Sequence, residues 1–133
     1  MNKRPVVREH PIVFWTIWRP HLTMAISITV RITGVGLYLG ALLAAAWAVA
    51  LASGPQTYAA FKALVGSMPG KAMMIGLTFS FFFHLGGGVR HLFFDVGYGF
   101  SPKSATQSAA AVLIFAAIAT AVTWLAALTM GAA

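Results

Sequence analysis

Residues 32–52 read "ITGVGLYLGALLAAAWAVALA", a run of 21 residues that contains no charged side chain. A helix rises about 1.5 Å per residue, so this run is long enough to cross a hydrocarbon core of about 30 Å. The turn-prone residues 53–56, "SGPQ", end it. The stretch therefore predicts a transmembrane helix and places the chain among membrane proteins.

The composition of the whole chain agrees with that class. Its 133 residues are 59% hydrophobic and 8% charged, whereas soluble domains carry about 25% charged residues. The net charge of +7 could favour nucleic acid, but the basic residues flank apolar runs instead of forming a basic face. We therefore predict that the chain contacts membrane lipid and does not bind nucleic acid. The absence of cysteine excludes disulfides and thiolate metal sites.

Two further apolar runs follow the first. One lies between Lys71 and Arg90, and the other covers roughly residues 109–130. We predict an all-α integral membrane protein with one membrane-anchor domain over residues 1–133. Its predicted parts are an N-terminal arm and three transmembrane helices, at about residues 1–26, 27–52, 71–96 and 106–131.

The basic residues predict the orientation of these spans. Most lie before the first span or between the second and third, whereas the first loop holds only Lys62 and Lys71. Cytoplasmic segments carry the excess of Lys and Arg. We therefore expect a multi-pass protein with a cytoplasmic N-terminus, and with the first loop and the C-terminus outside.

Histidines and glycines interrupt the second span. His84 and His91 are seven residues apart and share a helix face, with "GGG" at 86–88 between them. Imidazole is a common axial ligand of haem iron, and glycines would let a flat porphyrin approach the backbone. Helix packing around the glycines and a cross-helix hydrogen bond from His84 are the simpler explanation of the pattern. The two imidazoles are separated by about 10.5 Å along the helix, so a second axial ligand would have to come from another chain.

Other polar residues lie near the membrane surface. His91 and Asp95 are four residues apart, which allows a contact, and with Arg90 they form either an interfacial ion-pair set or part of a site. Ser27 and Arg31 share one face of the first span. Arg31 either extends to lipid headgroups or offers donors to a haem propionate or a quinone oxygen.

The scarcity of acids excludes several classes of membrane protein. The sequence contains only Glu9 and Asp95, both expected near the interface. Paired-carboxylate catalysis and proton-coupled transport need acids within the membrane. This argues against a small multidrug transporter.

Three motifs together resemble the cytochrome b556 membrane-anchor family of succinate dehydrogenase. They are "RPHL" at 19–22, "SITVRITG" at 27–34 and "HLGGGVRHLFFD" at 84–95. The third is the most specific, and its fixed positions are met by His84, Gly88, Arg90, His91 and Asp95. Two positions depart from the family: Val30 replaces a common histidine, and the "SP" that usually precedes "HL" is missing.

The resemblance implies roles for individual residues. It makes His84 an axial ligand of haem b, with the second histidine supplied by a companion membrane-anchor subunit. It makes Ser27 and Arg31 ubiquinone-site residues, and it places His91 and Asp95 near the haem edge and the quinone pocket.

The resemblance also implies partners and a location. Flavin and iron–sulfur clusters would belong to a flavoprotein subunit and an iron–sulfur subunit, and electrons would pass from succinate through them to quinone. The expected location is the bacterial inner membrane. Two alternatives stay open: an anchor of a quinol:fumarate reductase, and a structural anchor without haem.

Overall fold

Helices are the only regular secondary structure in residues 22–131, the part of the chain that the computed structural model describes. The helices are α1 (Leu22–Ala52), α2 (Pro55–Gly66), α3 (Met68–Asp95) and α4 (Pro102–Thr129). Helices α1, α3 and α4 are long and apolar enough to cross a membrane. The predicted all-α fold with three transmembrane helices is confirmed. Residues 1–21 of the predicted arm lie outside the described residues.

Each long helix begins before the start expected from its apolar run. The described part of α1 begins at Leu22, so residues 22–26 of the predicted arm are helical. Ser67 caps α3 by accepting the Gly70 N–H at 3.2 Å, and Ser101 caps α4 in the same way through the Ser104 N–H at 3.2 Å. A proline follows each cap within the first turn. Because capping satisfies the first free amides, polar residues begin these helices.

Helix α2 occupies a segment that the sequence analysis treated as a loop. Gly54 precedes it with φ of 106°, a conformation that favours glycine, and Pro55 opens the helix. At the next junction, a Cβ atom on Gly70 would overlap the carbonyl oxygens of Leu64 and Val65. The tight corner between α2 and α3 therefore requires glycine at position 70. This corner keeps α2 against the adjoining ends of α1 and α3.

Helix α3 is the centre of the bundle and packs against both α1 and α4. The buried core consists of Ile26, Phe83, Ala109, Val112 and Ala116. Ala109 and Ala116 are 0% exposed, so small side chains let α4 approach α3 closely. Many large apolar side chains point outward. An apolar outer surface is suited to lipid and to other membrane helices.

Glycines also line the contact between α1 and α3. A Cβ atom on Gly36 would lie 3.5 Å from the Ser80 Oγ atom, and one on Gly40 would lie 3.4 Å from a Leu77 methyl group. These two glycines, four residues apart on α1, thus let the helix lie close against α3.

Candidate functional site

The imidazole of His84 is held against the backbone of α1. Its Nδ1 atom lies 3.1 Å from the carbonyl oxygen of Val30 and 3.5 Å from the Thr33 Oγ1 atom. A carbonyl oxygen can only accept a hydrogen bond. The Nδ1 atom therefore carries the ring proton and donates a hydrogen bond to the Val30 carbonyl oxygen. The Nε2 atom then keeps its lone pair. Histidines that ligate metals usually have this arrangement, with the second ring nitrogen bound to a carbonyl or carboxylate.

Two glycines allow α1 and α3 to approach closely enough for this hydrogen bond. A Cβ atom on Gly34 would lie 3.2 Å from the His84 Cε1 atom, and one on Gly87 would lie 2.5 Å from a Val30 methyl group. A side chain at Gly87 would push Val30 and α1 away, and one at Gly34 would press on the His84 ring. The tautomer of His84 therefore depends on glycine on both helices.

The three consecutive glycines of α3 have different surroundings. Gly86 faces α4, because a Cβ atom there would lie 3.3 Å from Val112 and from Phe115, and Gly87 faces Val30 on α1. Helix packing, the simpler alternative, thus accounts for both. Gly88 has no described atom within 4 Å of a Cβ position. Gly88 and His84 are each two residues from Gly86, and a helix turns about 100° per residue. Both therefore lie on the side of α3 opposite Gly86, away from α4.

Ser27 and Arg31 lie beside this open face. They precede Gly34, which contacts His84, by about two turns and one turn of α1. Ser27 is half-buried and Arg31 is exposed. The structure thus places both on the part of α1 that leads from His84 toward the C-terminal end of α3.

His91 and Asp95 lie at that C-terminal end, and both are exposed. The His91 ring stacks with Phe94 at a centroid distance of 6.4 Å, and Asp95 is the last residue of α3. None of the five predicted site residues lines the cavity at the α2 end of the bundle or the smaller one between α3 and α4. Residues 22–131 by themselves leave the candidate site open at one side.

Arg90 has a different role from the interfacial ion pair that we considered. It is 6% exposed, and its Nε atom donates to the Ser108 Oγ atom at 3.0 Å. An Nη atom donates to the Ala105 carbonyl at 3.3 Å, and the guanidinium stacks on Phe94 at 4.5 Å. Arg90 therefore ties α3 to the first turns of α4. The sequence carried no signal for these partners, because they follow from how the helices cross.

The donor set fits a metal that is already held in a macrocycle. Among residues 22–131, no three His, Cys, Asp or Glu side chains come together as ligands for a bare ion. A haem iron needs only one axial imidazole from this chain. His84 offers that nitrogen, and Gly88 leaves space one turn further on the same face.

The fold and the site define a class: a multi-pass membrane subunit that presents one oriented imidazole on an open helix face. Residues 3–123 match the family described as "Succinate dehydrogenase/Fumarate reductase transmembrane subunit". The chain belongs to this family and is a subunit of an enzyme complex. The family identified from the motifs is confirmed.

Curated relatives agree with the family. The chain is 30% identical over 123 residues, 92% of each chain, to the succinate dehydrogenase cytochrome b556 subunit of Rickettsia conorii. It is 35% identical to the same subunit of Paracoccus denitrificans over 97 residues, 73% of this chain and 75% of the relative. It is also 36% identical to the mitochondrial cytochrome b560 subunit of Sus scrofa over 104 residues, 74% of this chain and 60% of the relative.

Proposed function

We propose that this chain is the cytochrome b anchor of a succinate:quinone oxidoreductase and that it binds haem b and ubiquinone. The observation that carries the proposal is the hydrogen bond from His84 Nδ1 to the Val30 carbonyl, 3.1 Å long. It fixes the tautomer that an axial ligand needs. The relatives' names, cytochrome b556 and b560, support haem b as the group.

The haem would be held jointly by two chains. His84 would supply one axial nitrogen, and a companion anchor subunit would supply the other on the open side of α1 and α3. Bound haem b supplies a one-electron carrier within the membrane. The chain's own contribution is to orient the imidazole, to keep Nδ1 protonated, and to leave the Gly88 surface clear.

Ser27 and Arg31 are the proposed quinone-binding residues. Reduction of ubiquinone builds negative charge on its ring oxygens, and a fixed cation with N–H donors stabilises that charge. The exposed Arg31 guanidinium and the half-buried Ser27 hydroxyl lie on the turns of α1 next to His84. His91 and Asp95, at the same end of the bundle, would border the pocket and the haem edge.

The remaining redox groups would belong to partner subunits. A flavoprotein subunit would hold the flavin, and an iron–sulfur subunit would hold the clusters and dock at the end of the bundle near Ser27 and Asp95. Electrons from succinate would then reach the quinone over a short path. This chain provides anchorage, part of the quinone pocket and half of the haem site.

We further propose that the complex lies in a bacterial inner membrane with the N-terminus of this chain in the cytoplasm. The distribution of basic residues supports this orientation. Reporter fusions after Ala133 and within residues 54–70 should both report the outer side. A cytoplasmic signal from either fusion would contradict the orientation.

The function is tested on the complex purified through this chain. A reduced-minus-oxidised spectrum should show the bands of a low-spin b-type haem, and succinate should reduce ubiquinone. A complex that reduces ubiquinone without a haem spectrum would instead be a structural anchor without haem.

The reverse reaction is a second candidate because the matching family includes fumarate reductase subunits. The two directions differ in the quinone potential and in the flavoprotein, not in the residues described above. Rates of succinate oxidation with ubiquinone and of fumarate reduction with a low-potential quinol, compared on one preparation, separate them. We expect the first rate to be the higher.

A further inference from the structure

A large cavity lies at the end of the bundle away from His91 and Asp95. It has a volume of about 860 Å³ and is bordered by all four helices. Its apolar wall includes Leu43, Trp47, Phe61, Met74, Phe81 and Trp124. A cavity of this size is in the range of small-molecule sites, about 300–1,000 Å³. Its lining suits a hydrocarbon chain.

Two lysines give the cavity a positive rim. Lys62, on α2, and Lys71, in the first turns of α3, both border it, and the Lys62 ammonium lies 5.9 Å from the centre of the Tyr58 ring. The only acid among residues 22–131 is Asp95, which lies 24 residues further along α3, or about 36 Å away. Within the described part of the chain, no carboxylate neutralises this rim.

The polar groups deeper in the cavity are already satisfied. The Trp124 indole N–H donates to the Thr78 hydroxyl at 3.3 Å, and that hydroxyl donates to the Met74 carbonyl at 2.8 Å. A ligand with polar groups along its length would gain little there. The arrangement favours a molecule with one anionic end and an apolar body.

We propose that this cavity binds an anionic phospholipid of the adjoining leaflet, with its phosphate at Lys62 and Lys71 and an acyl chain against the apolar wall. Tyr58 lies beside Lys62 at the rim, and tyrosine side chains prefer the headgroup level of a membrane. The charge complementarity selects an anionic lipid over a neutral one. This site is separate from the proposed haem and quinone site and does not depend on it.

The test uses the assembled complex, stripped of lipid in a non-ionic detergent and titrated in native mass spectrometry. The probes are 1-palmitoyl-2-oleoyl phosphatidylglycerol and the phosphatidylcholine with the same acyl chains. Phosphatidylglycerol should bind at least tenfold more tightly. Each lysine near a membrane surface contributes about 1 kcal/mol, so K62Q/K71Q should weaken its binding roughly thirtyfold. K62R/K71R should restore most of the affinity, and K103Q, at the other end of the bundle, should bind as wild type.

Filling the cavity tests the acyl-chain part of the proposal. A44F places a ring in the cavity wall and should weaken binding of both lipids, whereas A45F, on the same helix but outside the lining, should not. Equal affinity for the two lipids, or unchanged binding in K62Q/K71Q, would overturn the proposal. Displacement of phosphatidylglycerol by inorganic phosphate would show an ion site only. Loss of another membrane subunit from the A44F complex, with lipid binding unchanged, would show a protein interface instead.

Discussion

The two sides of helix α3 are built differently. Toward α4, the chain closes its own contacts: Phe83 is 1% exposed, and Arg90 is 6% exposed with donors bound to α4. Toward α1, glycines bring the backbones together, and His84 is only half-buried with one ring nitrogen occupied. Polar groups that the chain satisfies by itself maintain the fold. Those left with a free donor or lone pair are the groups suited to a ligand.

The two arginines of the spanning helices show the same contrast. Arg90 is buried and bonded to Ser108 and Ala105, so its charge serves helix packing. Arg31 is exposed on the side of α1 next to His84. Residue type alone does not distinguish these roles. The neighbouring helix does.

The largest effect is expected at the glycine contact between α1 and α3. Gly87→Leu places side-chain atoms where Val30 lies, so the helices must separate and the Val30–His84 hydrogen bond is lost. Overpacking of this kind typically costs 1–3 kcal/mol, and here we expect about 3 kcal/mol or more. The complex should assemble poorly and lose its haem absorbance.

The matched control is Gly88→Leu, one residue further on. No described atom lies near its Cβ position, so the chain should fold and assemble, while the haem content should fall because the side chain enters the open face. Normal haem content in Gly87→Leu would contradict the described helix contact.

Arg31→Leu tests whether the exposed arginine serves a ligand. Loss of a charged hydrogen bond costs about 1.5–3 kcal/mol, so ubiquinone reduction should fall roughly tenfold to a hundredfold. Ser27→Ala should lose less. Succinate oxidation by an acceptor that takes electrons from the soluble subunits should be unchanged in both variants, as should thermal stability. A wild-type ubiquinone rate in Arg31→Leu would mean that the arginine only reaches the headgroups.

Arg90→Met should show the opposite behaviour. It removes two hydrogen bonds to α4 and leaves Ser108 without its charged donor, and we expect a loss of about 2 kcal/mol in stability. The haem band positions should stay as in wild type, because His84 faces the other side of α3. Thermal unfolding of the purified complex, followed together with its spectrum, measures both quantities. A shifted spectrum with unchanged stability would reverse the roles assigned to the two sides.

Thr33→Val is expected to give the smallest effect. The Thr33 hydroxyl shares the Val30 carbonyl with His84, at 2.9 Å. Without it, the carbonyl accepts more strongly from Nδ1, which raises the basicity of the imidazole and should lower the haem midpoint potential slightly. Thr29→Val, whose hydroxyl bonds to Ala25 at 2.9 Å on an exposed part of α1, is the control and should leave the potential unchanged.

The sequence predicted the spans well because long uninterrupted apolar runs are typical of membrane helices and rare elsewhere. It missed α2, since that helix is short and follows the turn-prone "SGPQ". The sequence identified His84 as a candidate site residue, because an ionisable side chain inside a membrane is energetically costly. Its partner could not, because a backbone carbonyl leaves no mark on the sequence. The contacts of Arg90 with α4 likewise depend on how two helices meet.

The most direct test of the central claim is the reduced-minus-oxidised spectrum of the complex carrying His84→Leu, measured beside His91→Leu. If the nitrogen left free by the Val30 hydrogen bond ligates iron, His84→Leu abolishes or changes the low-spin b-type bands. The exposed His91, two turns away, should alter them far less when replaced. An unchanged spectrum in His84→Leu, with normal assembly of the complex, would contradict the assignment of His84 as the haem ligand.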